Sequence, residues 1–339
     1  MKKKKILVTG GLGYIGSHTS VVLLENNYDI IIVDNLCNSD IKVLKKINIL
    51  TSKIPEFHRC DINDNKKLNQ IFKNNQIDGI IHFAALKSVS ESVKFPDKYY
   101  KNNVEGIKNL LKYCDKYDVK KFIFSSSCTV YGNPKKLPIK ESTPFGKPLS
   151  PYGNSKILSE EILMKYCNEK DSFKNISLRY FNPVGAHKSN MIGENPHGIP
   201  NNLVPIITQN SIGKNIKLKV FGNDYNTIDG TAIRDYVHIE DLSKAHLKAY
   251  KYLEESKNNY EFFNIGTGKG YSVLEVINTF EKISGKKLQY TFSNRRKGDV
   301  EKIYSDIKKA KKLLKWNSIY NLEDMLKSAW LYENKLNED

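Results

Sequence analysis

The chain has 339 residues, 54 lysines and arginines against 37 acids, and a formal net charge of +17. That length suits one large α/β unit or two coupled ones, and no apolar run approaches the roughly 18 residues of a membrane span. Five scattered cysteines without CxxC or zinc-type spacing fit a reducing compartment, and the lysines, spread along the chain and mixed with Asn, read as solvated faces and not as a nucleic-acid site. Strands are expected at residues 6–9, 30–34, 57–61, 79–83, 121–126 and 176–180, with helix-like stretches between them. Such β/α alternation implies parallel strands joined by crossovers. Pro96 suits the first turn of a helix running toward residue 119, and Pro151 opens another reaching about residue 167. After Asn182 the pattern loosens into Pro, Gly and Asn-rich loops at 183–202 and 222–231, broken by helices near 203–213, 240–256, 273–284 and 321–334.

Two constellations carry chemistry. Thr9-Gly10-Gly11-Leu12-Gly13-Tyr14-Ile15-Gly16 follows a strand and opens a helix, where glycines let the backbone approach a pyrophosphate at the positive helix end. Asp34 ends the second strand at the distance expected of a ribose-binding acid; it accepts from a 2′-hydroxyl and repels a 2′-phosphate, favouring NAD over NADP. Asp61, at the end of the next strand, is placed to approach the adenine edge or to cap its own loop. The second constellation is Ser125-Ser126-Ser127 ending a strand, then Ser150-Pro151-Tyr152-Gly153-Asn154-Ser155-Lys156. Tyr and Lys four positions apart share a helix face. A Tyr titrating near ~10 must fall by about three units, or roughly 4 kcal/mol, to act as a base near neutrality; the Lys156 cation and a positive nicotinamide are the expected sources. His82, His187, His197 and His238 lack metal-ligand spacing and read as structural or loop residues, so no metal is expected.

These residues resemble a family. The chain is similar to the extended short-chain dehydrogenases/reductases and, within them, to the UDP-glucose 4-epimerases over nearly its whole length. The matching segments are Val33-Asp34-Asn35-Leu36-Cys37-Asn38-Ser39, His82-Phe83-Ala84-Ala85-Leu86-Lys87, residues 124–132 and 150–156, Arg179-Tyr180-Phe181-Asn182-Pro183-Val184-Gly185-Ala186, Ile199-Pro200-Asn201-Asn202-Leu203, Val220-Phe221-Gly222-Asn223-Asp224-Tyr225, Arg234-Asp235-Tyr236-Val237-His238 and Arg295-Arg296-Lys297-Gly298-Asp299. Ala85 stands where many relatives have Gly, and Cys128 where many have Ala.

The resemblance implies a Rossmann-type doubly wound parallel α/β sheet with a smaller α+β substrate-binding lobe. The cofactor domain would span 1–181, with about 237–265 returning to it, and 182–339 would be mainly the UDP-sugar lobe. It implies catalysis by Ser127, Tyr152 and Lys156. NAD would be held by Gly10, Gly13, Tyr14, Ile15, Gly16, Asp34, Asn35, Asn38, Ser39, Asp61, Ile62, Phe83, Ala84, Ala85, Lys87, Asn102, Ser125, Tyr152, Lys156 and Tyr180. The UDP-sugar would meet Lys87, Ser127, Tyr152, Phe181, Asn182, Asn202, Leu203, Phe221, Arg234, Tyr236, Arg296, Asp299 and Ile303. In this family the position four residues after the Asp, here Ile303, helps decide whether an N-acetyl group fits; a one-residue shift would put Tyr304 there instead. A cytoplasmic homodimer through the helices at 96–119 and 151–167 is also implied. A UDP-N-acetylglucosamine 4-epimerase, and a nucleotide-sugar dehydratase or decarboxylase, share the scaffold. The last two carry a Glu shortly after the active-site Ser/Thr, whereas Ser127-Cys128-Thr129-Val130 has no acid. A silent NAD-sensing module has no need of Ser127, Tyr152 and Lys156 in register.

Overall fold

The computed structural model describes residues 3–296 and 298–338; Lys297, within the Arg-Arg-Lys-Gly-Asp run, lies outside them. Six strands alternate with helices through the first half: β1 (Lys5–Thr9), β2 (Asp29–Asp34), β3 (Glu56–Arg59), β4 (Gly79–His82), β5 (Lys121–Ser127) and β6 (Lys174–Tyr180). There follow β7 (Asn182–Val184), β8 (Leu218–Phe221), β9 (Ile233–His238), β10 (Tyr260–Ile265), β11 (Gly270–Ser272), β12 (Tyr290–Ser293) and β13 (Lys302–Ile303). The main sheet is wholly parallel in the order β10-β6-β5-β4-β1-β2-β3. Helices cover both faces of a parallel sheet, so its strands are apolar without alternation: Ile30 to Val33 are all buried, as is every residue of β4. The fold is Rossmann-type α/β.

Strand order reverses between β1 and β4, which opens a crevice at their carboxyl ends, the usual ligand site of such sheets. Above it stand two small sheets. In one, β9 pairs with β7, β11 and β13; in the other, β8 lies parallel to β12. Their core is a separate apolar cluster that includes Val184, Ile207, Val220, Tyr236, Phe280 and Met325.

Three local details differ from the sequence expectation. The strand expected over 57–61 stops at Arg59, which leaves Asp61 in the following turn. The helix begun by Pro96 is not uniform: Pro96–Tyr99 runs into a π-helical segment, Tyr100–Glu105, before Gly106–Lys116. The wide turn lets the Asn103 amide reach Leu86 N, Leu86 O and Ser155 Oγ at 2.9–3.0 Å, tying the loop after β4 to the helix Pro151–Glu169. Finally, that last helix extends two residues past the expected end. Among the described residues no helix is long and apolar enough to cross a membrane.

Candidate active site

A cleft of about 2100 Å³ runs from the glycine loop to the small sheets. At its cofactor end, Gly10 adopts φ +68°, and a Cβ there would stand 2.7 Å from Ala84 N. A Cβ on Gly16 would stand 2.1 Å from Gly10 O, so the helix Tyr14–Glu25 can pack against the loop only with glycine at that position. No side chain caps this helix and no acid sits in its first turn, so its first N–H groups are free for an anion. A diphosphate therefore fits.

Asp34 is 7% exposed and accepts from Leu12 N (3.1 Å), Leu36 N (2.9 Å) and Ser39 Oγ (2.8 Å). A carboxylate has about four acceptor sites, so one remains for a ribose hydroxyl. Asp61 takes Asn63 N and Asn35 Nδ2, both at 2.8 Å: it caps its turn while facing the cleft.

The floor is made where β5 ends. Ser150 caps the helix Pro151–Glu169 by accepting from Gly153 N at 3.1 Å, and Pro151 occupies its first position. Tyr152 and Lys156 follow one turn apart, on the face toward β5. Lys156 Nζ donates to Ser125 O at 2.6 Å and lies 4.8 Å from the Phe124 ring centre and 5.9 Å from that of Tyr152. Ser127 Oγ accepts from Thr129 N at 3.2 Å, which leaves its proton for a hydrogen bond to the Tyr152 phenol. Ser125 Oγ pairs with the Tyr180 hydroxyl.

Without the nicotinamide that the sequence expectation also invokes, the protein by itself raises the Tyr152 pKa. Burial pushes Tyr152 up to about 12, and the Ser127 hydrogen bond recovers only part of the rise. Burial pushes Lys156 down to about 7, against the opposing pull of Glu160. The protein frame alone thus does not lower the Tyr152 pKa through Lys156, because Lys156 is buried and its ammonium is aimed at the Ser125 carbonyl.

The far wall comes from the small sheets. Arg296 Nε donates to Asp299 Oδ2 at 2.9 Å and its guanidinium covers the Phe221 ring at 4.8 Å; Arg234 Nη2 lies 3.6 Å from the same Asp299 carboxylate. Tyr236 pairs with Asn182 across β9 and β7. Asn202 precedes the helix Leu203–Ser211. Ile303, 4% exposed, joins Val130, Tyr131 and Phe181 in an apolar cluster at the cleft surface, while Tyr304 turns toward Gly270, outside it.

All but three of the residues expected at the site line this one cleft. Asp34, Ile62 and Ala84 stand behind its surface. Ile62 is 3% exposed and packs under the helix Gly106–Lys116 at Gly106, and Ala84 abuts Gly10. Glu160, beneath the floor, and Glu194, on the cleft surface, had not been singled out. Glu160 is fully buried and takes a forked pair from Arg179, with contacts of 2.6–3.1 Å, beneath Ser126. Its place four residues after Lys156, on the same helix face, was the available signal. Glu194 reaches both Lys87 and Asn202. It sits in a loop without periodicity, and nothing local marked it. His82 bonds Thr9 Oγ1 at 2.7 Å, and His238 stacks on Tyr320 at 4.1 Å.

A family profile described as GDP-mannose 4,6 dehydratase matches residues 7–329. A UDP-glucose 4-epimerase from Dictyostelium discoideum is 48% identical over 330 residues, covering 97% of this chain and 96% of that one. The chain belongs to the UDP-glucose 4-epimerase family, within the extended short-chain dehydrogenases/reductases. A solved epimerase of this family from Bifidobacterium longum, in complex with NAD+ and UDP, superposes with a TM-score of 0.95 at 44% identity, covering 98% of each chain. Another family structure, the UDP-Glc/GlcNAc 4-epimerase of Campylobacter jejuni, gives 0.84 at 38% identity, with 98% and 99% covered.

Proposed function

We propose that this chain interconverts UDP-glucose and UDP-galactose with NAD as a resident cofactor. The observation that carries the reading is the convergence of Ser127, Tyr152 and Lys156 at the end of β5, in one cleft with a glycine loop shaped for a diphosphate. NAD bound in this cleft would supply a reversible hydride acceptor for sugar C4 and, in its oxidised form, a positive charge beside the phenol. Tyr152 accepts the proton of the 4-hydroxyl and later gives it back; Ser127 orients that hydroxyl; Lys156 binds the nicotinamide ribose and, with the cofactor's charge, brings the phenol down from about 12. Arg234 and Arg296 neutralise the UDP diphosphate. Because the hydride returns, the ketone must turn over inside the cleft, so the nucleotide is gripped and the sugar is loosely held.

The cofactor lobe covers residues 1–181 with about 237–265 returning to it, and 182–339 is mainly the UDP-sugar lobe. The protein acts in the cytoplasm as a homodimer through helices 96–119 and 151–167; exposed Val93 and Phe95, just before the first of these, support an apolar seam. Purified protein incubated with UDP-galactose should yield UDP-glucose without net reduced cofactor. Stoichiometric accumulation of NADH would instead make it a dehydrogenase.

A further inference from the structure

Glu194 is 10% exposed and lines the cleft, yet it belongs to neither the glycine loop nor the catalytic floor. One oxygen, Oε1, accepts from Lys87 Nζ at 2.9 Å and from Asn202 Nδ2 at 2.7 Å. Lys87 comes from the loop after β4; Asn202 precedes the helix Leu203–Ser211. One carboxylate oxygen therefore joins groups from the two sides of the cleft. Its own backbone is firmly seated. Ala186 and Gly193 bridge across the loop, His187 N donates to Ile192 O at 3.0 Å, and Gly193 abuts the Tyr332 ring so closely that a Cβ would stand 2.4 Å from it.

An acid in a cleft built for an anionic nucleotide is electrostatically unfavourable unless it does something for the cations there. Lys87 is half exposed and carries a long flexible stem, and Asn202 is exposed; left alone, each would have to be ordered as ligand binds, at a cost in affinity. We infer that Glu194 is a positioning residue for the nucleotide sugar, its carboxylate holding Lys87 and Asn202 converged on the cleft. The inference rests on the proposed UDP-sugar chemistry. Asp299 has a parallel arrangement with Arg234 and Arg296, so cations on both sides of the cleft are paired with an acid.

The test compares Glu194→Ala and Glu194→Gln with the parent protein in three measurements: steady-state kinetics on UDP-galactose, calorimetric binding of UDP, and NAD content with thermal midpoint. In Glu194→Ala, KM and the UDP Kd should each rise about tenfold, the equivalent of one or two lost hydrogen bonds, with kcat within about threefold and NAD content unchanged. Glu194→Gln keeps the acceptor oxygen and should return KM to within about threefold of the parent. Unchanged or tighter binding in the Ala variant overturns the assignment, as does a Gln variant no better than Ala. A fall in thermal midpoint and kcat with KM unmoved would reduce Glu194 to a structural residue and overturn it too. If the parent binds UDP but does not turn over UDP-galactose, the functional reading fails, while the UDP Kd still decides the role of Glu194.

Discussion

At the floor of the cleft, Tyr152 and Lys156 ride on a 19-residue helix against a sheet buried on both faces, and Lys156 is tied to the backbone of β5 itself. At the far wall, Arg234, Arg296, Asp299 and Ile303 ride on a strand of six residues, a strand of two and the loop before it, and the charged groups are aligned chiefly by one another. The floor fixes the reacting atoms through burial and main-chain geometry; the wall fixes the ligand through side-chain pairs that can give. A reaction in which a ketone must turn over between two hydride transfers needs both properties. The chemistry requires a fixed hydride path, and the sugar requires room.

The contrast breaks first at the floor. Tyr152→Phe removes the only proton acceptor proposed there, and turnover should fall by about 10² to 10⁴-fold while NAD stays bound and the fold is kept. Measured kcat within a few fold of the parent would move the base elsewhere. At the wall, smaller and more selective effects are expected. Ile303 faces the cleft and Tyr304 does not, so Ile303→Ala should raise activity on UDP-N-acetylglucosamine relative to UDP-glucose, by about 5- to 150-fold, since relieving an overpacked contact is typically worth about 1–3 kcal/mol. Tyr304→Ala should leave that ratio alone. Equal efficiency of the parent protein on both sugar pairs would remove the size argument.

A separate effect, read in stability and not in turnover, concerns buried histidines on both sides of the contrast. Burial pushes His18 and His82 down to about 3, and His238 and His246 to about 4, from an ordinary 6.5. Between these values the unfolded chain takes up protons that the folded chain refuses. The stability they contribute is therefore full above pH 6.5 and is lost as the pH falls toward 4. The thermal midpoint should drop between pH 7 and pH 5, which scanning calorimetry can follow. A flat profile would mean that these imidazoles take up protons in the folded chain as readily as in the unfolded one.

The same contrast explains what could be read from sequence. The parallel sheet was legible because strands buried on both faces must be apolar runs such as Ile30-Ile31-Ile32-Val33, and because the glycine loop tolerates no side chain at Gly10 or Gly16. The helix Val273–Ser284 was legible to the residue, since Ser272 and Glu275 form a capping box and Gly285 closes it at φ +67°. The π-helical segment was hidden, because the Asn103 contacts that accompany it run to Leu86 and Ser155, outside the local pattern of the helix. Glu194 was hidden for a like reason: its partners are 107 and 8 residues away, in segments without periodicity. The desolvation of Tyr152 and Lys156 was not legible, because spacing reports proximity and says nothing of burial.

The edge strand β10 has a consequence for how the chain is made. It lies beside β6, yet 79 residues separate the end of one from the start of the other, and the helix Ile239–Glu255 that packs on Tyr14–Glu25 is synthesised in that interval. Until about residue 265 has left the ribosome, β6 presents an open edge and the glycine-loop helix lacks its cover. The nucleotide-binding half therefore cannot finish folding before most of the opposite wall has emerged. A nascent chain stalled near residue 230 would expose an unpaired parallel strand, the kind of surface that chaperones hold and that neighbouring copies on a polysome can capture.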